Sequence, residues 1–195
     1  NPNYAQAYNN LGAALHKQNK ISEALDLYKK ALSLKEDFAE VYNNMGNAMC
    51  AIEKPVESFQ YFEKALKINP SYAEAYNNLG SACKDIGDTE ETIKNFKKAI
   101  EINPNYAEVY NNLAIEQSDL QDFKSAMDNY KTCIRIKPEY EKAYSNLGNL
   151  LSTLGKYDEA NALYMKAIDV KPDYPKAYSN ILLNFNYKTD YDPKE

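Results

Sequence analysis

Apolar residues recur along the chain at intervals of three to four, in stretches of about 14 residues divided by short polar breaks. In one stretch Tyr76, Leu79 and Cys83 share a face, and in the next Ile93, Phe96, Ala99 and Ile100 do. That period belongs to the helix, so both stretches are predicted to be helices. The breaks carry turn-type residues: Gln18-Asn19-Lys20, Glu53-Lys54-Pro55, Gly87-Asp88, Gln121-Asp122 and Gly155-Lys156. Neither apolar stripe can be buried by its own pair of helices, so successive pairs must stack.

The pairs are copies of one unit. Pro2, Pro70, Pro104, Pro138 and Pro172 lie at multiples of 34 residues, with Glu36 at the missing step, and each marks the end of a unit. The repeats fall near 5–38, 39–72, 73–106, 107–140 and 141–174, with a partial sixth repeat and a capping or linking segment over 175–195. One repeat domain spans 1–195 on this reading.

Small residues recur where two helices must cross closely: Gly12, Gly46, Gly80, Ala114 and Gly148 in the first helix, and Ala24, Ser58, Thr92, Ala126 and Ala160 in the second. A glycine inside a helix costs about 0.5–1 kcal/mol relative to alanine, so its repetition calls for a packing reason. A third small series, Ala31, Ala65, Ala99, Cys133 and Ala167, lies one turn after Tyr28, Phe62, Phe96, Tyr130 and Tyr164. Small set against large at fixed offsets describes interlocking helix pairs.

This combination of Tyr, Leu-Gly, small residue, aromatic, Ala and Pro resembles the tetratricopeptide repeat over nearly the whole chain. The resemblance implies an all-α fold, a right-handed superhelical solenoid whose concave wall is lined by the first helix of each unit.

The chain is built for neither nucleic acid nor membrane. A net charge of -5 leaves no excess of Lys and Arg for a phosphate backbone. No apolar stretch reaches the roughly 18 residues needed to span a bilayer, and Asn1-Pro2-Asn3-Tyr4 is no secretory signal. The start without Met suggests a piece of a longer protein. Cys50, Cys83 and Cys133 make no disulfide framework, which with the lack of N-glycosylation acceptors favours the cytoplasm or nucleus.

Catalytic chemistry finds little to work with. His16 is the single histidine, so no His pair for metal and no His-based triad can form. The cysteines read as packing residues, and Asp85, Asp88, Glu90 and Glu91 as charge stabilising a helix N-terminus. Four of the six glycines occupy the crossing site and two the turns, leaving none for a phosphate-cradling loop. No catalytic residue, cofactor or metal ligand is assigned.

What remains is asparagine. Tyr8-Asn9-Asn10 recurs at Tyr42, Tyr76 and Tyr110, then as Tyr144-Ser145-Asn146 and Tyr178-Ser179-Asn180. At about 100° per residue the second Asn lies roughly 200° from the packing Tyr, towards the concave side. Asn10, Asn44, Asn78, Asn112, Asn146 and Asn180 are therefore the candidate peptide-binding residues, one rung per repeat. An Asn amide can pair with a peptide N–H and C=O together, so such a ladder would hold extended protein segments by their main chain. Glu40, Glu74, Glu108, Lys142, Asp85 and Asp119 are candidates for selectivity beside it. Each mid-helix Asn costs about 0.5 kcal/mol relative to Ala, so removing the ladder is expected to leave stability unchanged or raised.

The strings at 69–80 and 171–180 resemble the repeats of protein O-GlcNAc transferases and their SPINDLY-type relatives. After Asn180 the pattern dissolves, Leu182 replaces the small residue, and Asp190-Tyr191-Asp192-Pro193 follow, as where those repeats pass into the glycosyltransferase region. The resemblance implies a substrate-recruiting, non-catalytic arm of an intracellular O-glycosyltransferase, with possible self-association. A chaperone adaptor that clamps a C-terminal carboxylate would need Lys where Asn9 or Asn43 stands and Arg at Asn78. A plain assembly scaffold stays open.

Overall fold

The computed structural model describes residues 2–189, and Asp190, Tyr191, Asp192 and Pro193 lie outside them. Among the described residues there are eleven α-helices and no strand. They fall in two compact units, the first ending at Pro104 and the second beginning at Asn105.

The first unit holds α1 (Pro2–Lys17), α2 (Ile21–Leu34), α3 (Ala39–Ala51), α4 (Pro55–Ile68), α5 (Ala73–Asp85) and α6 (Thr89–Ile102). Three helix pairs stack in order, each first helix packing most extensively on the second helix of its own repeat. The second unit holds α7 (Ala107–Asp119), α8 (Phe123–Ile136), α9 (Glu141–Thr153), α10 (Tyr157–Val170) and α11 (Pro175–Thr189), with α11 packed on α10 and α9. The expected starts at Ala39, Ala73, Ala107, Glu141 and Pro175 coincide with the helix starts, while α1 begins three residues ahead of Ala5. Its first residue is Pro2, whose missing N–H costs nothing at that position.

The turn inside each repeat has one geometry. Asn19, Glu53, Gly87, Gln121 and Gly155, spaced by 34, all carry positive φ, between 60° and 80°. The residue after each donates its N–H back five residues, as from Lys20 to Leu15 and from Asp88 to Cys83. Together these features make a Schellman stop, which satisfies carbonyls the helix end leaves open. Asp88 and Asp122 then cap α6 and α8, their carboxylates accepting from the amides of Glu91 and Ser125.

The small-against-large expectation has a direct geometric cause. The rings of Tyr28, Phe62, Phe96 and Tyr164 lie on Gly12, Gly46, Gly80 and Gly148. A methyl group at any of these glycines would sit no more than 2.8 Å from the nearest ring carbon, well inside van der Waals contact. Ala114 and Tyr130 fill the same places in the fourth repeat, and both are buried. The two other small series are fully buried as well, so the core is a row of small residues under rings.

Candidate functional site

The candidate residues sit on the first helices, where each Tyr-Asn-Asn triplet places two amides about 100° apart. The structure gives the two asparagines different work. Asn9, Asn43 and Asn111, the first of their triplets, are buried, with 0%, 0% and 3% exposure. Asn9 donates to Glu40 at 2.7 Å and accepts from Asn44 at 2.9 Å. Asn43 repeats the arrangement one step on, donating to Glu74 at 3.2 Å and accepting from Asn78 at 2.9 Å. In the second unit Asn111 accepts from Asn146 at 3.0 Å.

The second asparagines are therefore not simply presented outward. Asn10 is exposed and accepts from Gln6, but Asn44, Asn78, Asn112, Asn146 and Asn180 are half-buried. Asn44, Asn78 and Asn146 each bond the buried Asn of the preceding repeat in their own unit. The residue 35 before Asn180 is Ser145 instead of Asn, and Asn180 donates to Asn149 Oδ1 at 2.7 Å. The expectation that this ladder could be removed without loss of stability is corrected by these bonds: removing Asn44 leaves Asn9 Oδ1 without its donor in a site closed to water.

Glu40 and Glu74, read as selectivity residues, are also structural, since each accepts from a buried amide while remaining exposed. Glu108 forms an ion pair with Lys137. Burial works against its carboxylate charge, yet the bond and charge of Lys137 and a backbone amide hold it below the usual range. Lys142, Asp85 and Asp119 are exposed.

An amide has two donor hydrogens and an acceptor oxygen, and the bond to the preceding repeat uses one donor. The remaining groups of Asn44 and Asn146 are held in one orientation by that bond. Within each unit the second asparagines come to equivalent places on successive first helices, so the first unit carries Asn10, Asn44 and Asn78 and the second Asn112, Asn146 and Asn180.

Further polar contacts lie where sequence reading expected none. Gln117 accepts from Asn129 at 2.6 Å, at positions that Leu15 and Leu27 fill in the first repeat. Asn149 accepts from both Tyr164 Oη and Asn180, and Asn184, only 2% exposed, accepts from Ser152 and donates to Asn161. A Glu stands 31 residues after Asn9 and after Asn43, but one also stands there after half-buried Asn77 and none after buried Asn111, so this spacing alone does not reveal the buried asparagines.

Nucleophilic chemistry gains nothing from the fold. Burial pushes the Cys50 thiol up, and takes Cys83 to about 11 and Cys133 to about 12, so the thiolate is scarce at neutral pH. His16 is held below its ordinary value by burial. Among the described residues no group of three or more His, Cys, Asp or Glu could hold a metal ion, and no helix is long and apolar enough to cross a membrane.

Family models described as tetratricopeptide repeat match residues 73–106, 141–174 and 95–127, and one described as TPR repeat matches 14–51, together more than half of the chain. Among solved structures, the MamA protein is 26% identical over 89% of this chain and 94% of its own, with a TM-score of 0.69. YrrB, described as a repeat protein with an unusual peptide-binding site, is 24% identical over 88% of this chain and 89% of its own, TM-score 0.67. A thermophilic repeat protein of Thermus thermophilus is 20% identical over 93% of this chain and 99% of its own, TM-score 0.77. The last two likenesses speak to the fold alone. No curated protein matches the sequence.

Proposed function

Since the chain belongs to the tetratricopeptide-repeat family, we propose that it is a non-catalytic protein-interaction module holding extended protein segments by their main chain. Asn10, Asn44, Asn78, Asn112, Asn146 and Asn180 supply the contacts. The observation that carries the reading is the clamp behind them: Asn44, Asn78 and Asn146 are each pinned by a buried Asn of the neighbouring repeat. An amide already fixed loses less side-chain entropy when a peptide arrives, so several modest bonds can sum to useful affinity.

Neighbouring packed helices are about 8–10 Å apart and an extended chain advances about 3.3 Å per residue, so one rung meets roughly every third peptide residue. Recognition by main chain makes sequence preference loose. The adaptor reading is disfavoured because Asn9 and Asn43, where it wants lysine, are buried and bonded.

The narrower proposal is that the module recruits substrates for an intracellular O-glycosyltransferase. The strings at 69–80 and 171–180 support it. It requires a glycosyltransferase region after Glu195 in the parent polypeptide.

The test is an array of end-blocked peptides probed with the chain and with the combined variant Asn44→Ala, Asn78→Ala, Asn112→Ala and Asn146→Ala, at a temperature where circular dichroism shows both folded. Weaker capture across unrelated sequences is expected. Unchanged capture, or capture that appears only with a free C-terminal carboxylate, overturns the ladder.

A further inference from the structure

Within the second unit a pocket of about 220 Å³ lies between α9, α10 and α11, lined by Asn149, Ser152, Tyr164, Asn180, Leu183 and Asn184. No charged side chain lines it. Its polar character is not imposed by packing. Asn161, which bonds to Asn184, stands where the earlier repeats have Leu25, Phe59, Ile93 and Met127. Asn184 stands where they have Ala14, Ala48, Ala82, Glu116 and Leu150. Apolar residues can therefore fill both places, and here two amides do instead.

The amides are fixed in orientation. Asn184, 2% exposed, accepts from Ser152 Oγ at 2.6 Å and donates to Asn161 at 2.9 Å. Asn149 Oδ1 accepts twice, from Tyr164 Oη at 2.8 Å and from Asn180 Nδ2 at 2.7 Å, which occupies both lone pairs. Turning the Asn149 amide over would set its NH2 group against that of Asn180. One donor group and one acceptor are left over: among the described residues neither Asn149 Nδ2 nor Asn180 Oδ1 has a bond partner. A network kept only to hold α11 on α9 would close on itself. This one ends in two oriented groups at a pocket.

We infer that the pocket takes the side-chain carboxamide of a glutamine. The ligand oxygen accepts from Asn149 Nδ2, the ligand NH2 donates to Asn180 Oδ1, and the methylenes lie along Leu183, so three amides complete one another. A carboxylate would bring an unpaired charge to a site with no cation and set an acceptor against Asn180 Oδ1. An ammonium would find no acid. That the glutamine belongs to an extended protein segment rests on the asparagine ladder of the proposed function, whereas the affinity of the pocket for the carboxamide does not.

The probe is N-acetylglutamine methylamide, titrated into the isotope-labelled 195-residue chain while the side-chain NH2 signals are followed by nuclear magnetic resonance. The Asn149 signal should shift to saturation, and the glutamate counterpart should bind roughly tenfold more weakly or worse. Asn149→Asp keeps an acceptor for Tyr164 and for Asn180 and removes only the donor, so it should weaken glutamine binding by a similar factor with the helical circular dichroism intact. Leu183 is 52% exposed, so Leu183→Ser leaves the fold in place and should weaken binding several-fold. Absence of a saturable shift at Asn149, equal binding of the two compounds, or indifference to both substitutions overturns the proposal. Glutamine binding in a chain that captures no peptide supports the pocket and overturns only the ladder.

Discussion

Asn43 Oδ1 accepts a hydrogen bond from Asn78 Nδ2 at 2.9 Å, joining residues 35 apart in sequence, while the Asn43 amide donates to Glu74. Replacing Asn43 by Ala removes both bonds from a site with 0% exposure and strands the amide of Asn78. A loss of about 1–3 kcal/mol is expected, read as a lower urea midpoint by circular dichroism. Asn44→Ala should cost about 1 kcal/mol by depriving Asn9 of its donor. An unchanged midpoint for both would show that the clamp holds nothing.

Two tyrosines in equivalent places should answer differently to loss of the hydroxyl. Tyr164 donates to Asn149 at 2.8 Å, whereas Tyr28 Oη is buried without a partner among the described residues, because Ala13 stands where the fifth repeat has Asn149. Tyr164→Phe is expected to cost about 1 kcal/mol, and Tyr28→Phe to be neutral or stabilising. Thermal melts of the two variants side by side decide it, and equal losses would contradict the contrast. Ala13→Asn offers the missing acceptor and should raise the melting temperature.

Gly46→Ala drives a methyl into the ring of Phe62, and should cost about 1–3 kcal/mol through overpacking, offset in part by the gain in helix propensity. The double variant Gly46→Ala with Phe62→Leu should lose less than the sum of the single losses, since the clash is shared. Simple additivity in urea unfolding would mean the ring is not the obstacle.

Alkali should unfold the chain through its buried phenols. Burial, with Glu40 adding for Tyr28, pushes Tyr28, Tyr140 and Tyr164 up to about 12, and Tyr130 further still. The fold thus favours the neutral phenol. The stability tied to these groups is whole below the ordinary tyrosine value near 10 and is lost as pH rises through about 12. Phenolate absorbance should rise in two phases, the second coinciding with loss of helical circular dichroism. A single early phase with helices intact would refute the assignment.

Much of this architecture is legible in the sequence because it is local or strictly periodic. The turn sites at Asn19, Glu53, Gly87, Gln121 and Gly155 and the glycine-to-ring contacts need only the 34-residue register and the shape of a helix. The buried asparagines are a different matter. A helical wheel drawn for one helix puts Asn9 beside Tyr8 but cannot say that the next repeat closes over it, since that burial belongs to two helices stacked at a given angle. The same blindness affects Glu40 and Glu74, whose partners lie 31 residues back. In the last two triplets the first Asn gives way to Ser145 and Ser179, which a pattern alone cannot distinguish from a neutral exchange. Buried Ser145, whose hydroxyl has no partner among the described residues, shows instead a local loss of the clamp.

The clamp is also reciprocal. In the first unit the earlier repeat accepts from the later one, Asn9 from Asn44 and Asn43 from Asn78, and the same buried amides donate forward, Asn9 to Glu40 and Asn43 to Glu74. Each junction thus joins one amide of the earlier repeat to two side chains of the later one, an Asn and a Glu, like a coupling with a hook and an eye on each wagon. A duplicated copy of the second repeat spliced in beside the original would find both couplings matched. A repeat lacking either the Asn or the Glu would leave half of the coupling open, so the array can lengthen by duplication of whole units.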